Sequence, residues 1–164
     1  MSKSRFLVPA VAIGALLLLA LSAPAVSATP ECAAGKPAVV VHVVGLKQAS
    51  GHIKVSLYGS DTRRWLAKKG RISKVKVPVT GRTMDICLAV PAPGRYAVAV
   101  HHDLNANGGR DRHDGGGYSR DPKVSLFNPK PSFDKAAFNV GAGPTQIGVT
   151  LLYIRGLGVG PVQS

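Results

Sequence analysis

Short stretches in which apolar and polar residues alternate recur along the chain, and turn-forming residues separate them. The first two are the β-branched run at 38–46 (AVVVHVVGL) and the alternating run at 52–58 (HIKVSLY). β-branched residues and a period of two residues are typical of β-strands. Because QASG at 48–51 offers a tight connection, we predict that these two strands form a hairpin.

Further strands are predicted at 74–80, 84–90, 95–102 and 145–153. Pro78 lacks the amide hydrogen that a sheet ladder needs, so the strand at 74–80 is expected at a sheet edge. In the strand at 95–102, the face predicted to point into the core carries Tyr96, Val98 and Val100. The opposite face carries Ala97 and Ala99.

About seven strands with Gly-rich turns and no long helix predict an all-β fold, an antiparallel two-sheet sandwich over residues 38–154. The segment 61–69 (DTRRWLAKK) interrupts the alternation and is predicted to form a turn of helix. Trp65 in this segment is interpreted as a lid on the core rather than as a platform for nucleic-acid bases. The far end of the sandwich is predicted to be packed by Phe133, Ala136, Ala137 and Phe138.

Residues 1–28 have the features of a secretory signal peptide rather than of the folded domain. Two basic residues precede an apolar run at 6–21, and small residues lead to Ala28, after which cleavage is expected. The run is shorter than the ~20 apolar residues of a membrane span, which argues against an uncleaved anchor. We therefore expect a periplasmic or secreted protein with a short lead at 29–37 and a flexible tail at 155–164.

Both cysteines of the chain, Cys32 and Cys87, lie in the part predicted to be exported. An oxidising compartment favours one disulfide between them. On the chain-entropy estimate, closing so long a loop stabilises the fold by roughly 4 kcal/mol. Two separate thiols are the alternative, and the absence of a CxxC pair argues against a zinc site.

The chain is strongly basic, with 21 Lys and Arg residues against 8 Asp and Glu residues and a net charge of +13. Removing the two basic residues of the signal peptide leaves 19 against 8, which is a net charge of +11. Positive charge concentrates at Arg63, Arg64, Lys68, Lys69, Arg71, Lys74 and Lys76. This cluster predicts salt-dependent attraction to anionic lipid, lipopolysaccharide or another polysaccharide, with nucleic acid the least favoured partner. The alternative is a solvated surface with no specific ligand.

The stretch HHDLNANGGRDRHD at 101–114 has the spacing of a calcium-binding loop. Oxygen-bearing side chains occupy its first, third, fifth, ninth and twelfth positions, which are Asp103, Asn105, Asn107, Asp111 and Asp114. Gly108 at the sixth position permits a sharp turn, and Gly109 offers a backbone carbonyl. Calcium takes about six to eight oxygens at roughly 2.3 to 2.6 Å, so we predict a calcium site at the end of the strand at 95–102.

Other interpretations of the same stretch remain open. Asp, Asn and Gly are also common in hairpins, so the loop is alternatively an empty turn. A zinc or copper ion bound by Asp103 with His101, His102 or His113 is a further alternative. Because adjacent side chains on a strand point to opposite faces, His101 and His102 do not readily join one site.

Catalytic chemistry has little support in the sequence. Ser119 could form a triad with His101 or His102 and an Asp, but no nucleophile elbow or other local signature supports it. The glycines at 115–117 lie beside acidic residues that repel an anion, so they do not form a phosphate-binding loop. We therefore expect a protein without enzymatic activity, and a hydrolase is the least favoured alternative.

The most distinctive stretch of the chain is ICLAVPAPGRYAVAVHHDLNANGGRD at 86–111. It is followed by GYS at 117–119, PSFDKAAFNV at 131–140 and IGVTLLY at 147–153. Together these stretches resemble a bacterial exported family, the domain-of-unknown-function family numbered 2141, over residues 39–153. The resemblance implies a β-sandwich of the immunoglobulin or transthyretin kind, in agreement with the strand count, and no established activity.

The chain departs from the family pattern after Asp111, where RHDGGG replaces an aromatic and proline-bearing segment. Asp114 therefore has less support as a ligand than Asp103, Asn105, Asn107 and Asp111. An Asp at the twelfth position is also shorter than the usual Glu, which predicts weak calcium affinity, about millimolar. We expect a calcium-stabilised binding or structural module of the cell envelope, or alternatively a module that binds polyanions through its basic surface.

Overall fold

The computed structural model describes Cys32 and residues 35–162. The predicted signal peptide at 1–28 lies outside the described residues, as does much of the predicted lead at 29–37. No helix in the described part has the length and apolar character of a membrane-spanning helix.

The described chain consists mostly of β-strands. In order they are β1 (Ala38–Val44), β2 (His52–Tyr58), β3 (Arg71–Pro78), β4 (Met84–Ala89), β5 (Gly94–Asp103), β6 (Gly115–Tyr118), β7 (Phe138–Val140), β8 (Pro144–Thr150), β9 (Leu152–Arg155) and β10 (Gly158–Gly160). A short helix, α1 (Phe133–Ala136), precedes β7. Two 3₁₀ turns, Thr62–Arg64 and Lys68–Gly70, lie between β2 and β3.

The strands form two sheets, and the fold is the predicted all-β sandwich. The first sheet has the order β4-β1-β8, with β1 antiparallel to β4 and parallel to β8. The second has the order β10-β9-β6-β5-β2-β3, with β7 paired to the start of β5, and its pairings are antiparallel. The predicted edge position of the strand at 74–80 is confirmed, because β3 ends this order.

Apolar side chains from alternating positions of both sheets pack into one core. The fully buried residues of β1 and β2 in this core are Val39, Val41, Val43, Ile53, Val55 and Leu57. The predicted inward face of β5 is confirmed, since Tyr96, Val98 and Val100 belong to the same core. Burying one side chain of this size contributes roughly 1.5–3 kcal/mol, so the alternation decides which face of each strand turns inward.

A smaller apolar cluster covers the other face of β5. Its buried members are Ala97, Phe133, Ala136 and Ala137. Trp65 packs against this cluster, and its indole N–H donates a hydrogen bond to the Pro131 carbonyl at 2.8 Å. The prediction that Trp65 covers apolar core residues is therefore confirmed. The helical turn predicted at 61–69 forms as the two 3₁₀ turns, and the first of them is capped by the Asp61 side chain.

The predicted hairpin between the first two strands is wrong. β1 is the central strand of the first sheet, whereas β2 pairs with β3 and β5 in the second. The connection at 45–51 instead crosses from one sheet to the other, so that β1 and β2 bury their apolar faces from opposite sides of the core. Gly45 and Gly51 have φ angles of 75° and 76°, a left-handed conformation that glycine adopts without a steric penalty.

The single closing strand predicted at 145–153 is also wrong, because the chain changes sheets within it. β8 belongs to the first sheet and β9 to the second, and Leu151 between them is fully buried in the shared core. The segment at 155–164, predicted as a flexible tail, contributes β10, which pairs with β9. The extra short strands bring the number of strands among the described residues to ten, above the predicted number of about seven.

The predicted disulfide between Cys32 and Cys87 is present, and the two Cα atoms lie 5.8 Å apart. Cys87 is in β4, so the bond fastens the segment that precedes β1 to the strand beside β1. It closes a loop of the kind that restricts the unfolded chain strongly.

Candidate cation loop and basic sheet face

The loop predicted to bind calcium leaves the end of β5, and its base is set by the pairing of β5 with β2. In this ladder His52 lies opposite Asp103, and Lys54 lies opposite His101. Opposite residues in an antiparallel ladder point to the same face, so all four side chains share one face of the sheet. That face is the one turned away from the main core, because Ile53 between them points into it.

Asp103 is bonded to a lysine from the neighbouring strand. The Lys54 Nζ atom lies 2.7 Å from Asp103 Oδ2 and also donates to the Gly108 carbonyl at 2.9 Å. The Gly108 amide donates to the same carboxylate oxygen at 3.0 Å. Asp103 is fully buried and Lys54 is 8% exposed, so this is an internal ion pair rather than a surface one. Burial opposes ionisation of Asp103, but hydrogen bonds from Lys54 and Gly108 outweigh it and lower its pKa.

The second oxygen of Asp103 has no such partner. Oδ1 is buried and accepts no hydrogen bond from any described residue. The Nδ1 atom of His52, the residue opposite Asp103, is likewise buried without a partner. Buried polar atoms are nearly always satisfied, and an orphaned one costs the free energy of its lost hydration. Oδ1 of Asp103 is therefore available to accept a hydrogen bond or to contact a cation.

Three further oxygen-bearing side chains of the loop contact one another. The Asn105 and Asn107 side-chain amides both donate to Asp111 Oδ2, at 2.8 and 3.2 Å. Hydrogen bonds to Asp111, of which the largest contribution is from the His113 backbone amide, lower the pKa of this carboxyl. Rotating either amide group by half a turn exchanges its nitrogen for its oxygen, which points an oxygen toward the same place. The structure thus brings the third, fifth and ninth positions of the motif together.

Asp114, at the twelfth position, has a different role. Its carboxylate accepts hydrogen bonds from the Leu104 amide and the Asp111 amide, each at 3.1 Å, and from His101 Nε2 at 2.8 Å. The side chain is buried and ties the two ends of the loop to β5. Asp114 therefore holds the two ends of the loop together, and its side chain is not grouped with those of Asn105, Asn107 and Asp111.

Gly109, whose carbonyl is a predicted ligand, lies in the same loop, and its amide donates a hydrogen bond to Asn107 Oδ1 at 2.8 Å.

The three histidines considered as metal ligands are separated. His101 points outward to Asp114, while His102 points into the core, where its ring bonds to the Tyr153 hydroxyl at 2.6 Å and the Ser50 carbonyl at 2.8 Å. His113 is exposed on the loop. The expectation that adjacent histidines face opposite sides is confirmed. Within residues 35–162, His, Cys, Asp and Glu side chains form no group of three or more suited to a metal ion.

The ring of His101 titrates in an environment that disfavours its charged form. Burial is the main cause and lowers the pKa of His101 below its ordinary value. The hydrogen bond that His101 donates to Asp114 acts in the opposite direction and raises the pKa, and the positive charge of Arg110 adds to the effect of burial.

Ser119, the residue considered as a nucleophile, is fully buried. Its hydroxyl donates to the Ala136 carbonyl at 2.6 Å and accepts from the Val98 amide at 2.9 Å. These bonds join the end of β6 to β5 and α1. The position of Ser119 is explained by this structural role.

The basic cluster divides between the 3₁₀ turns and β3. Arg63 is paired with Asp61 at 3.0 Å on the surface, and Arg64 donates to the Lys69 carbonyl at 2.7 Å. Five cations of the cluster remain, and one of them, Lys69, lies on the second 3₁₀ turn. We call the other four, Lys74 and the cations of the cluster that repel its charge, the basic face: Lys68, Arg71, Lys74 and Lys76. Among the residues that the structure describes, none of these four forms an ion pair with a carboxylate.

Lys74 lies at the centre of the basic face. Loss of solvent around its ammonium group, and then repulsion from Arg71, Lys54, Lys68 and Lys76, lower its pKa. Its strand position explains this crowding, because Lys76 is opposite Lys54 in the ladder and Lys74 is opposite Ser56. Mutual repulsion among cations is relieved when an anion binds between them.

One family model matches residues 41–148 of the chain, and its description is "Uncharacterized protein conserved in bacteria (DUF2141)". The chain belongs to DUF2141. The matched part of this DUF2141 protein runs from β1 to β8 and includes the whole loop at 103–114. No curated protein and no solved structure matches the chain.

Lys54 is the residue of the candidate site that the sequence interpretation of this DUF2141 protein misses. The alternation in HIKVSLY places Lys54 on the polar face of β2, which is the signal available locally. Its contact with Asp103 depends on the register between β2 and β5, and these strands are separated by two others in the chain.

Proposed function

We propose that this DUF2141 protein is an exported, non-enzymatic module of the cell envelope, periplasmic or secreted, that binds calcium in the loop at 103–111. The observation that carries the proposal is the fully buried carboxylate of Asp103, whose Oδ1 atom has no partner among the described residues. Calcium is a hard cation that takes carboxylate, amide and carbonyl oxygens, which are the groups that this loop supplies.

The proposed ligands are the side chains of Asp103, Asn105, Asn107 and Asp111, with the carbonyl of Gly109 as a further oxygen. Asp114 supports them from the base of the loop, because its oxygens already accept two backbone amides and His101. Calcium would stabilise this end of the sandwich by joining Asp103 on β5 to the loop tip, and binding to the folded state alone raises stability by mass action.

Lys54 sets the strength of this site in the proposal. Its ammonium already neutralises Asp103 through Oδ2, at 2.7 Å, so a calcium ion that binds the unpartnered Oδ1 is repelled by this ammonium. That repulsion, together with the small number of carboxylates, gives weak affinity, about millimolar. Such a site fills outside the cytoplasm, where free calcium is abundant.

Calorimetric titration of calcium into the chelator-stripped mature protein tests the proposal. Saturable heat is expected for the wild type and its loss for Asp111→Asn, a substitution that preserves size but removes the charge. The matched control is Asp85→Asn, because Asp85 is bonded to His42 at 2.6 Å on β4 in the other sheet. Equal binding by wild type and Asp111→Asn, or no binding at millimolar calcium, contradicts the proposal.

A second candidate function is binding of a polyanion such as an acidic polysaccharide by the basic face. The specific observation that favours it is the crowding of Lys74 by four other cations without an ion-paired carboxylate in the basic face. Lys36 and Lys47 are exposed and lie outside the basic face.

Binding to immobilised heparin as a model polyanion tests this candidate over a range of salt concentrations. Replacing the four residues of the basic face by Gln is expected to weaken binding and to flatten its dependence on salt. The control replaces four exposed cations elsewhere, Lys36, Lys47, Arg82 and Lys135, by Gln, which lowers the net charge by the same amount without changing the basic face. An equal loss in both variants points to net charge alone and contradicts a specific face.

A further inference from the structure

Two large apolar side chains are almost completely exposed to solvent. Phe127 and Leu157 each have 97% of their surface exposed. Phe127 lies in the turn 125–128, which is closed by a hydrogen bond from the Ser125 amide to the Asn128 carbonyl at 3.1 Å. Leu157 lies in the turn that joins β9 to β10. Both side chains therefore project from hydrogen-bonded turns.

The first turn and the strands that flank the second line one groove. Its volume is about 250 Å³. The segment that carries Phe127 supplies Val124 and Leu126 to one wall, and the strands beside Leu157 supply Leu152, Ile154 and Val159 to the other. Leu126 and Ile154 are themselves 36% and 37% exposed. We call Leu126, Phe127, Ile154 and Leu157 the apolar edge.

Positive charge surrounds the apolar edge. Residues 122–133 and 151–162, which carry it, contain Lys123, Lys130 and Arg155 and no Asp or Glu. Arg110 lines the groove and is exposed, as are Lys123 and Lys130. Two acids line the groove: Asp114 is buried, and Asp111 accepts hydrogen bonds from the Asn105 and Asn107 side chains. Asp121 nearby accepts hydrogen bonds from the Thr150 amide and hydroxyl, each at 2.8 Å.

We propose that the apolar edge docks on the surface of an anionic lipid bilayer. Phe127 and Leu157 insert among the acyl chains near the headgroups, while Arg110, Lys123 and Lys130 lie at the level of the lipid phosphates. Apolar side chains that enter the interface and cations that bind anionic headgroups are the two contributions that hold peripheral proteins on membranes.

A bilayer fits this surface better than a protein partner does. Protein interfaces bury a continuous apolar centre, whereas here two single side chains project from separate turns on either side of a groove. A lipid bilayer is fluid, so single apolar side chains such as Phe127 and Leu157 can insert into it without a complementary binding surface. The net charge of +11 that remains after removal of the signal peptide also favours anionic lipid over an average protein surface.

Co-sedimentation with lipid vesicles tests the proposal, in buffer with a calcium chelator so that the result is independent of the proposed calcium site. The mature protein is expected to bind vesicles of equal parts phosphatidylglycerol and phosphatidylcholine and to bind pure phosphatidylcholine much more weakly. Each of Phe127→Ser and Leu157→Ser is expected to weaken binding about tenfold, and the double variant more. Both positions are exposed, so the fold is retained, and a circular dichroism melt checks this.

The matched control is Ile72→Ser, because Ile72 is a 46% exposed apolar residue on β3, away from the apolar edge. It is expected to bind vesicles like the wild type. Wild-type binding by the double variant would show attraction by charge alone and overturn the proposal. Absence of vesicle binding together with self-association that the double variant abolishes, measured by analytical ultracentrifugation, would overturn it in favour of a second copy of the chain.

Discussion

The Lys54 ammonium lies 2.7 Å from Asp103 Oδ2, and both residues are buried at the base of a loop whose sequence is that of a calcium site. The loop is thus neutralised by a cation from the neighbouring strand of its own chain. Breaking a buried ion pair by removing one partner leaves an uncompensated charge, which is strongly destabilising. Several consequences of this arrangement can be measured.

Replacing Lys54 by Met is expected to destabilise the calcium-free protein by about 3–5 kcal/mol, because Asp103 stays buried without a counter-ion. Calcium is expected to restore much of this loss and to bind the variant more tightly than the wild type, since no ammonium repels the ion. Urea denaturation with chelator and with calcium measures both effects.

The control for this variant is Lys76→Met, because Lys76 is opposite Lys54 in the ladder but exposed. Its free energy of unfolding is expected to change by about 0.5 kcal/mol or less. If Lys54→Met unfolds at the same urea concentration as Lys76→Met, the ion pair contributes nothing and the account of the loop is wrong.

Stability is expected to fall as the pH drops below the ordinary His pKa of 6.5, because the pKa of His101 is lowered in the folded protein. Between its folded pKa and 6.5, the unfolded chain binds more protons at this position than the folded chain does, so acid favours unfolding. Above 6.5 this contribution is fully present.

Urea denaturation from about pH 8 to about pH 5, with calcium chelated, measures this dependence. His101→Gln keeps a hydrogen-bonding group near Asp114 but cannot titrate, so its stability is expected to vary less over this range. If His101→Gln shows the same dependence of stability on pH as the wild type, groups other than His101 cause that dependence and the prediction is wrong.

Removal of the disulfide by the paired substitution of Cys32 and Cys87 with Ser is expected to lower the free energy of unfolding by about 4 kcal/mol. The reason is that the bond links residues 55 positions apart and so restricts the unfolded chain. Thermal melting of the variant and of the reduced wild type should give the same lowered melting temperature. An unchanged melting temperature in both would contradict a structural role for the bond.

Gly117→Ala is expected to destabilise the sandwich by about 1–3 kcal/mol through overpacking. A Cβ atom at this position in β6 would lie 2.6 Å from the Thr150 carbonyl oxygen and 2.6 Å from a Val149 methyl group. Gly148→Ala is the control, because a Cβ atom there meets nothing within 4 Å. Chemical denaturation compares the free energies of unfolding of the two variants. Equal values would show that the structure around Gly117 accommodates a methyl group without cost, which contradicts the prediction.

Features that depend on local periodicity are predictable from this sequence. Val98 and Val100 point into the core because a period of two places them on the apolar face, whatever β5 pairs with. The loop spacing likewise predicts that Asn105 and Asp111 approach each other, and their side chains are 2.8 Å apart. The disulfide follows from the compartment and the presence of two cysteines.

Features that depend on which strands pair are not predictable in this way. The turn residues at 48–51 signal a reversal but not its destination, and the chain crosses to the other sheet instead of forming a hairpin. The sequence pattern places Leu151 within one continuous apolar strand, although the chain passes from one sheet to the other at this residue. Lys54 meets Asp103 only through the register of β2 with β5. Asp114 matches the loop spacing, yet His101 and two backbone amides occupy its oxygens.

The most direct test of the calcium site is a crystal structure of the protein soaked in calcium, with anomalous scattering recorded at a wavelength where calcium contributes. We predict one anomalous peak among the oxygens of Asp103, Asn105, Asn107 and Asp111, with the Lys54 ammonium moved away from Asp103. A loop without an anomalous peak at saturating calcium, with Lys54 still bonded to Asp103, would contradict the calcium site and leave the lysine as the permanent cation of this loop.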